Sequence, residues 1–237
     1  MKILALDTAT EACSVALSLD GRIEERFETA GRSHTERLMP MVQELMAGAG
    51  LAFSQLDGIA CGVGPGSFAG VRIGVGYTKG LALALDRPVV GVSSLPAMAL
   101  RAIRGGASRV LAAIDARMNE VYWGAYRATA DGQPQPLLEE RVCAPAEVPR
   151  AAAGEWTAVG TGWGSYGEAL RAAAAVEPRQ VVADALPHAE DILRLALPQF
   201  QAGQAISGDA LLPLYLRNKV ALTLLEQAAT RAARASR

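Results

Sequence analysis

The sequence predicts a two-domain α/β protein. Strand and helix patterns alternate as βββαβαβα over the first hundred residues. The opening pattern then recurs after the break at Gly105-Gly106. At 237 residues, 51% of them hydrophobic, the chain can bury one large core or two small ones.

Residues 2–7 form an apolar run ending in Asp7 and read as a buried strand. Residues 13–19 alternate and read as a second strand, and Asp20-Gly21 is a hairpin turn leading into a third strand over 22–28. Ser33 with Glu36 three residues on is a capping box. Leu38, Val42, Leu45 and Ala49 then recur at helical spacing, with Pro40 inside the pattern predicting a bend. A strand follows over 56–63, a helix over 69–85, a strand over 88–92 and a helix over 94–103.

The second half opens like the first. Residues 109–115 are a buried run ending in Asp115, followed by a short loop and a returning strand from Glu120 to Tyr126. The remainder is looser: a turn at 131–134, a strand over 156–159, a glycine-rich link over 160–167 into a helix, a helix over 187–200, an extended piece over 210–215 and a helix over 218–233. The tail carries Arg231, Arg234 and Arg237.

Net charge is −1, so no global field favours nucleic acid or an anionic membrane. Cys13, Cys61 and Cys143 are odd in number and widely spaced, which reads as buried thiols in a reducing compartment. The apolar run Ile3–Leu6 is shorter than a secretory signal core, and no run approaches the ~20 residues of a membrane helix. The expectation is a cytoplasmic protein that does not enter the membrane.

The most unusual stretch is the run from Gly62 to Gly76. It follows a strand and precedes a helix, as an anion-binding loop would. It lacks the Gly-Lys-Ser/Thr ending of a phosphate loop, and no ribose-binding acid stands at the dinucleotide-motif distance. Close packing explains more. Gly70 and Gly74 are four apart, as are Gly76 and Gly80, so each pair shares a helix face. Each glycine weakens a helix by roughly 0.5–1 kcal/mol, which a close approach would offset. Spacing does not say whether the neighbour lies in the same chain.

Met39 and Met46 suit an adaptable interface, and equally a wide core stripe. Asp7 and Asp115 end equivalent strands. In two-lobed ATPases that carboxylate approaches a metal–phosphate unit, but neither loop here has the glycine that lets backbone touch phosphate. A hairpin cap is the simpler role for both. The two histidines, His34 and His188, make no metal-ligand pair. His34, in a first helical turn, is read as solvated. No Gly-x-Ser-x-Gly elbow is present.

At this point the chain resembles a known family. Ile3-Leu4-Ala5-Leu6-Asp7-Thr8-Ala9-Thr10, Ser33-His34-Thr35-Glu36-Arg37-Leu38, the glycine-rich run from Gly62 to Gly74, Asp115-Ala116-Arg117-Met118-Asn119-Glu120-Val121-Tyr122 and Pro213-Leu214-Tyr215-Leu216-Arg217 are similar, in that order, to motifs of the TsaB (YeaZ) family. Ala69 stands where threonine or serine is common in that family. The resemblance implies an actin-like (ASKHA) fold of two repeated lobes, the second degenerate. The first lobe is expected over 1–104, completed by 205–237, and the second over 105–204.

It also implies a non-catalytic subunit in tRNA threonylcarbamoyladenosine synthesis. Its partners would be TsaD, which holds the metal and transfers the threonylcarbamoyl group, and TsaE, an ATPase. No cofactor is expected on this chain alone, and tRNA would be met through the complex. The implied interface is the two helices at 33–49 and 68–86, with Ser33, His34, Glu36, Met39, Met46, Gly66, Ser67, Phe68, Gly70, Arg72, Gly74 and Tyr77. Alone, the chain could pair with a second copy through the same helices. The competing reading is an actin-like ATPase or small-molecule kinase using Asp7, Thr8 and Asp115. A third is direct tRNA contact by the arginine tail.

Overall fold

The computed structural model describes residues 1–31 and 33–217. The helix expected over 218–233, and the tail arginines with it, lie outside the described residues.

The first sheet has five strands in the order β3-β2-β1-β4-β5: β1 (Ile3–Asp7), β2 (Ala12–Leu19), β3 (Arg22–Thr29), β4 (Gly58–Gly62) and β5 (Val89–Val92). β1, β2 and β3 form an antiparallel meander, and β4 and β5 continue it in parallel from β1. The β2–β3 turn has Asp20 at φ 52° and Gly21 at φ 82°, both left-handed, as a two-residue hairpin of this twist requires. Side chains alternate across the sheet, so Leu4, Leu6, Val15, Ile59 and Cys61 point to one face and Ile3, Ala5, Ala16, Ala60 and Val90 to the other.

Helices α1 (His34–Gly48) and α2 (Phe68–Leu85) cover the first of these faces. The expected capping box is not formed. The Ser33 hydroxyl donates to the Ala30 carbonyl (2.7 Å) and makes no cap bond to α1. α1 runs through Pro40 as one helix.

The second sheet repeats the plan. β6 (Arg109–Asp115), β7 (Val121–Ala128), β10 (Thr157–Val159) and β11 (Gln180–Val182) occupy the places of β1, β2, β4 and β5. The third strand is reduced to two short pieces on β7, β8 (Pro134–Pro136) and β9 (Arg141–Cys143). No helix stands between β9 and β10 where α1 would be, only one short turn of 3₁₀ helix. The glycine-rich stretch read as a link is itself the start of α4 (Thr161–Ala174), which is interrupted at Tyr166.

The lobe boundary differs from the expected one. α5 (Ala189–Gln201) lies on the open face of the first sheet, with Ile192, Leu193 and Ala196 against Ile3, Ala5 and Val90. α3 (Ser94–Arg104) turns the other way. Its Leu95, Met98, Ala99 and Ile103 pack on Val110, Ala112 and Ile114 of the second sheet. The two helices meet as a middle layer and are tied by charge. Arg104 donates to Asp191 (2.8 Å) and Glu190 (2.8 Å), and Arg101 to Asp191 (3.2 Å). Asp191 is fully buried, so these pairs are what make its burial tolerable. The return to the first lobe therefore begins at residue 189 rather than 205. It continues through an antiparallel bridge from Ile206 to Val89.

No helix among the described residues is long and apolar enough to cross a membrane.

Candidate functional site

The glycine-rich run is folded around the β1–β2 loop. Ser67 caps α2 by accepting from the Gly70 amide (3.0 Å), and its own amide donates to the Ala9 carbonyl (2.6 Å). The Thr8 hydroxyl donates to the Gly70 carbonyl (2.7 Å). A Cβ on Gly66 would overlap the Ala9 carbonyl, one on Gly70 the Thr8 carbonyl, and one on Gly74 would come within 2.7 Å of the Thr8 hydroxyl. Gly62 serves the same end one strand away, since its missing Cβ makes room for the Asp7 carboxylate.

Gly66, Gly70 and Gly74, expected to admit a partner, thus admit the chain's own loop. On a helix, 70, 71, 74, 75, 78 and 82 share one side, and that side is buried. Gly76 and Gly80 fall on another. A Cβ at either would meet nothing within 4 Å among the described residues. The four glycines therefore belong to two faces, one closed and one open.

The open face is apolar at both ends. Phe68 is 52% exposed and Leu83 84%, and Met39 on neighbouring α1 is 51% exposed. Arg72 lies across the N-terminal end. Its guanidinium carbon sits 3.7 Å from the Phe68 ring centroid, and its Nε donates to the Tyr215 hydroxyl (2.8 Å). This stack clasps residues 211–217 against α2, helped by Lys79 donating to the carbonyls of Asp209 (2.9 Å) and Leu211 (3.1 Å). Tyr77 is half-buried beside it and Glu36 is exposed on α1.

Two other expected interface residues face inward. Met46 is 1% exposed and belongs to the core. The chain doubles back after α1, with the Leu51 amide donating to the Met46 carbonyl (3.0 Å), so Leu51, Phe53 and Leu56 close that end. His34 is buried rather than solvated. Its Nε2 carries a proton and donates to the carbonyls of Thr10 (2.9 Å) and Ala12 (3.1 Å), pinning α1 to the loop.

A second concavity lies between the lobes, about 330 Å³ in volume, where the β1–β2 and β6–β7 loops face each other. Asp115 lines it; Asp7 and Thr8 do not. Asp7 is fully buried, with one carboxylate oxygen accepting from the Ala9 amide (3.1 Å) and the other without a partner among the described residues. Burial raises its pKa to about 7, against the lowering effect of that amide. A carboxylate sealed between β4 and its own loop cannot reach a metal–phosphate unit in the cleft. Asp7 and Thr8 therefore do not fit the metal–phosphate role that a two-lobed fold of this kind suggests for them.

What the cleft holds is a clasp. Arg117 reaches from the second lobe to Asp115 (3.2 Å) and across to Glu11 (3.2 Å). Arg117, Met118 and Asn119 all have φ near +60°, a conformation that asparagine tolerates but that is unfavourable for Arg117 and Met118 by roughly 1–2 kcal/mol each. Arg217 holds the turn from behind, donating to the Ala116 carbonyl (3.0 Å) and to Glu120. Cys13 and Cys61 are buried, with burial pushing both thiols up to about 12. They are not poised nucleophiles.

Comparison with known proteins adds the following. Residues 27–223 match the family model described as "TsaD: tRNA N6-adenosine threonylcarbamoyltransferase". The chain is 45% identical over 228 residues to the tRNA threonylcarbamoyladenosine biosynthesis protein TsaB of Escherichia coli, covering 93% of this chain and 96% of that protein. It is 41% identical to the TsaB of Haemophilus influenzae, over 93% of this chain and 95% of that protein. The solved structure of YeaZ from Pseudomonas aeruginosa superposes with a TM-score of 0.83 at 48% identity, covering 91% of this chain and 99% of that one.

Proposed function

This chain belongs to the TsaB (YeaZ) family, and from that premise we propose that it serves tRNA threonylcarbamoyladenosine synthesis as a non-catalytic subunit. The partner is a TsaD-type catalytic subunit, docked on the open face of α1 and α2. That partner supplies the metal and the transfer chemistry, a TsaE-type ATPase joins the assembly, and tRNA is engaged through the complex rather than by this chain alone.

One observation carries the reading. α2 exposes Gly76 and Gly80 on a face flanked by exposed Phe68 and Leu83. Two open glycines weaken the helix by roughly 0.5–1 kcal/mol each, and among the described residues nothing packs where their side chains would stand. Backbone bared in this way lets a second helix approach closely. Exposed apolar side chains beside it mark an interaction surface. The sealed Asp7 and the clasped cleft count against the competing ATPase reading.

The test is co-purification with the cognate TsaD-type subunit. Gly76→Arg and Gly80→Arg place large side chains into open space, so both variants fold, and both lose the partner. Complexes formed at the wild-type level by both would remove α2 from the interface. Gly74→Leu is unsuitable for this purpose, because it would collide with Thr8 and report on folding instead.

A further inference from the structure

The second sheet carries a cavity at its far end that takes no part in the surfaces described above. β6, β10 and β11 run parallel, and the interlobe cleft lies at the end of β6 marked by Asp115. At the opposite end, where these strands begin, a cavity of about 460 Å³ opens beneath the C-terminal turn of α3. That volume falls within the range of small-molecule sites. Its floor is apolar, built by Met98 of α3, Val182 of β11 and Leu186 beyond it. Its rim is basic. Arg109 opens β6 and Arg179 precedes β11.

The two arginines differ in what they already hold. Arg179 pairs with Glu155 (3.1 Å), and both side chains are exposed to water. Such a pair contributes little and opens readily. Arg109 has no carboxylate within 4 Å among the described residues. It donates one N–H to the Ala153 carbonyl (2.6 Å), and its guanidinium lies 5.6 Å from the centroid of buried Trp156. The missing Cβ of Gly154 leaves room for that guanidinium. Arg109 is thus held in place by backbone and ring while the rest of its donor fork has no anionic partner. A positioned guanidinium at the mouth of a cavity with an apolar floor is complementary to an anion that carries an apolar body.

We propose that this cavity is a binding site for a small amphiphilic anion, a carboxylate or phosphate monoester with an apolar chain, whose head meets Arg109 and whose tail lies on Met98, Val182 and Leu186. The site is separate from the partner-docking face and does not depend on it. Calorimetry on the full chain with octanoate, octyl phosphate and octanol tests it, with the Trp156 indole N–H resonance as a local reporter. The anions are expected to bind one to one and shift that resonance, whichever head group is preferred. Octanol, which lacks the charge, is expected to bind at least about 10-fold more weakly. Arg109→Gln is expected to weaken anion binding about 10-fold, as loss of a charged hydrogen bond does. Ala102→Leu, which narrows the cavity from the α3 side, is expected to reduce it for both anions. No saturable binding of either anion, octanol binding as tightly, or unchanged binding by folded Arg109→Gln would each overturn the proposal.

Discussion

Replacing Asp7 by asparagine should stabilise the protein at neutral pH and remove most of one pH dependence. The carboxyl group is buried, has one oxygen without a partner among the described residues, and titrates near pH 7 instead of 3.8. Well below pH 3.8 the group is protonated whether the chain is folded or not, and its burial costs no ionisation. Between about 4 and 7 the unfolded chain releases the proton while the folded chain keeps it. Stability therefore falls as pH rises, by up to about 1.4 kcal/mol per unit. The fall ends above pH 7, when both states are ionised. The full shift of about three units corresponds to an upper figure of about 4 kcal/mol. Asparagine resembles the protonated acid in shape and can keep the bond from the Ala9 amide. The assay is urea unfolding of both proteins from pH 4 to 8.5, reading only their difference so that other groups cancel. The variant should match wild type near pH 4 and exceed it by several kcal/mol at pH 8. A difference that does not change with pH, or an asparagine variant less stable at pH 8, would refute the reasoning.

The two glycine faces should respond oppositely. Gly70→Ala is expected to destabilise by about 1–3 kcal/mol, because its methyl group meets the Thr8 carbonyl. Gly76→Ala is expected to stabilise by about 0.5–1 kcal/mol in the same thermal or urea assay. Ser67→Ala removes the α2 cap and should cost about 0.5–2 kcal/mol by urea unfolding. At high concentration the isolated chain is expected to self-associate through the open face in light scattering, and Gly80→Arg to return it to a monomer.

The architecture was largely legible because its signals are local. Asp20-Gly21 announced the first hairpin, and the apolar runs ending in Asp7 and Asp115 announced the repeat. The site was less so. A four-residue spacing shows that Gly70 and Gly74 share a face, but not that Thr8 lies under it. Turning the helix by 100° per residue separates them from Gly76 and Gly80, a signal present in the sequence and visible once Val71 and Val75 mark the inner side. Met39 and Met46 lie at equivalent helical angles, so no periodicity distinguishes them. Only the segment folding back over the end of α1 buries one and leaves the other exposed. His34 looked solvated for the same reason, since its acceptors come from a loop more than twenty residues away.

The crossing of α3 and α5 between the lobes has a consequence for how the molecule is made. When the last strand of the first sheet leaves the ribosome, one side of that sheet has no cover. Its covering helix, Ala189–Gln201, is translated about a hundred residues later. At 5–20 residues per second, Ile3, Ala5 and Val90 wait on the order of ten seconds in water. α3 meanwhile has no second sheet to lie on. The second lobe, complete with β11 at residue 182, can close before α5 is made, but the first lobe cannot be completed until residues 105–188 have been synthesised. A cut at the Gly105-Gly106 break would yield two fragments that each expose what the other was built to hide.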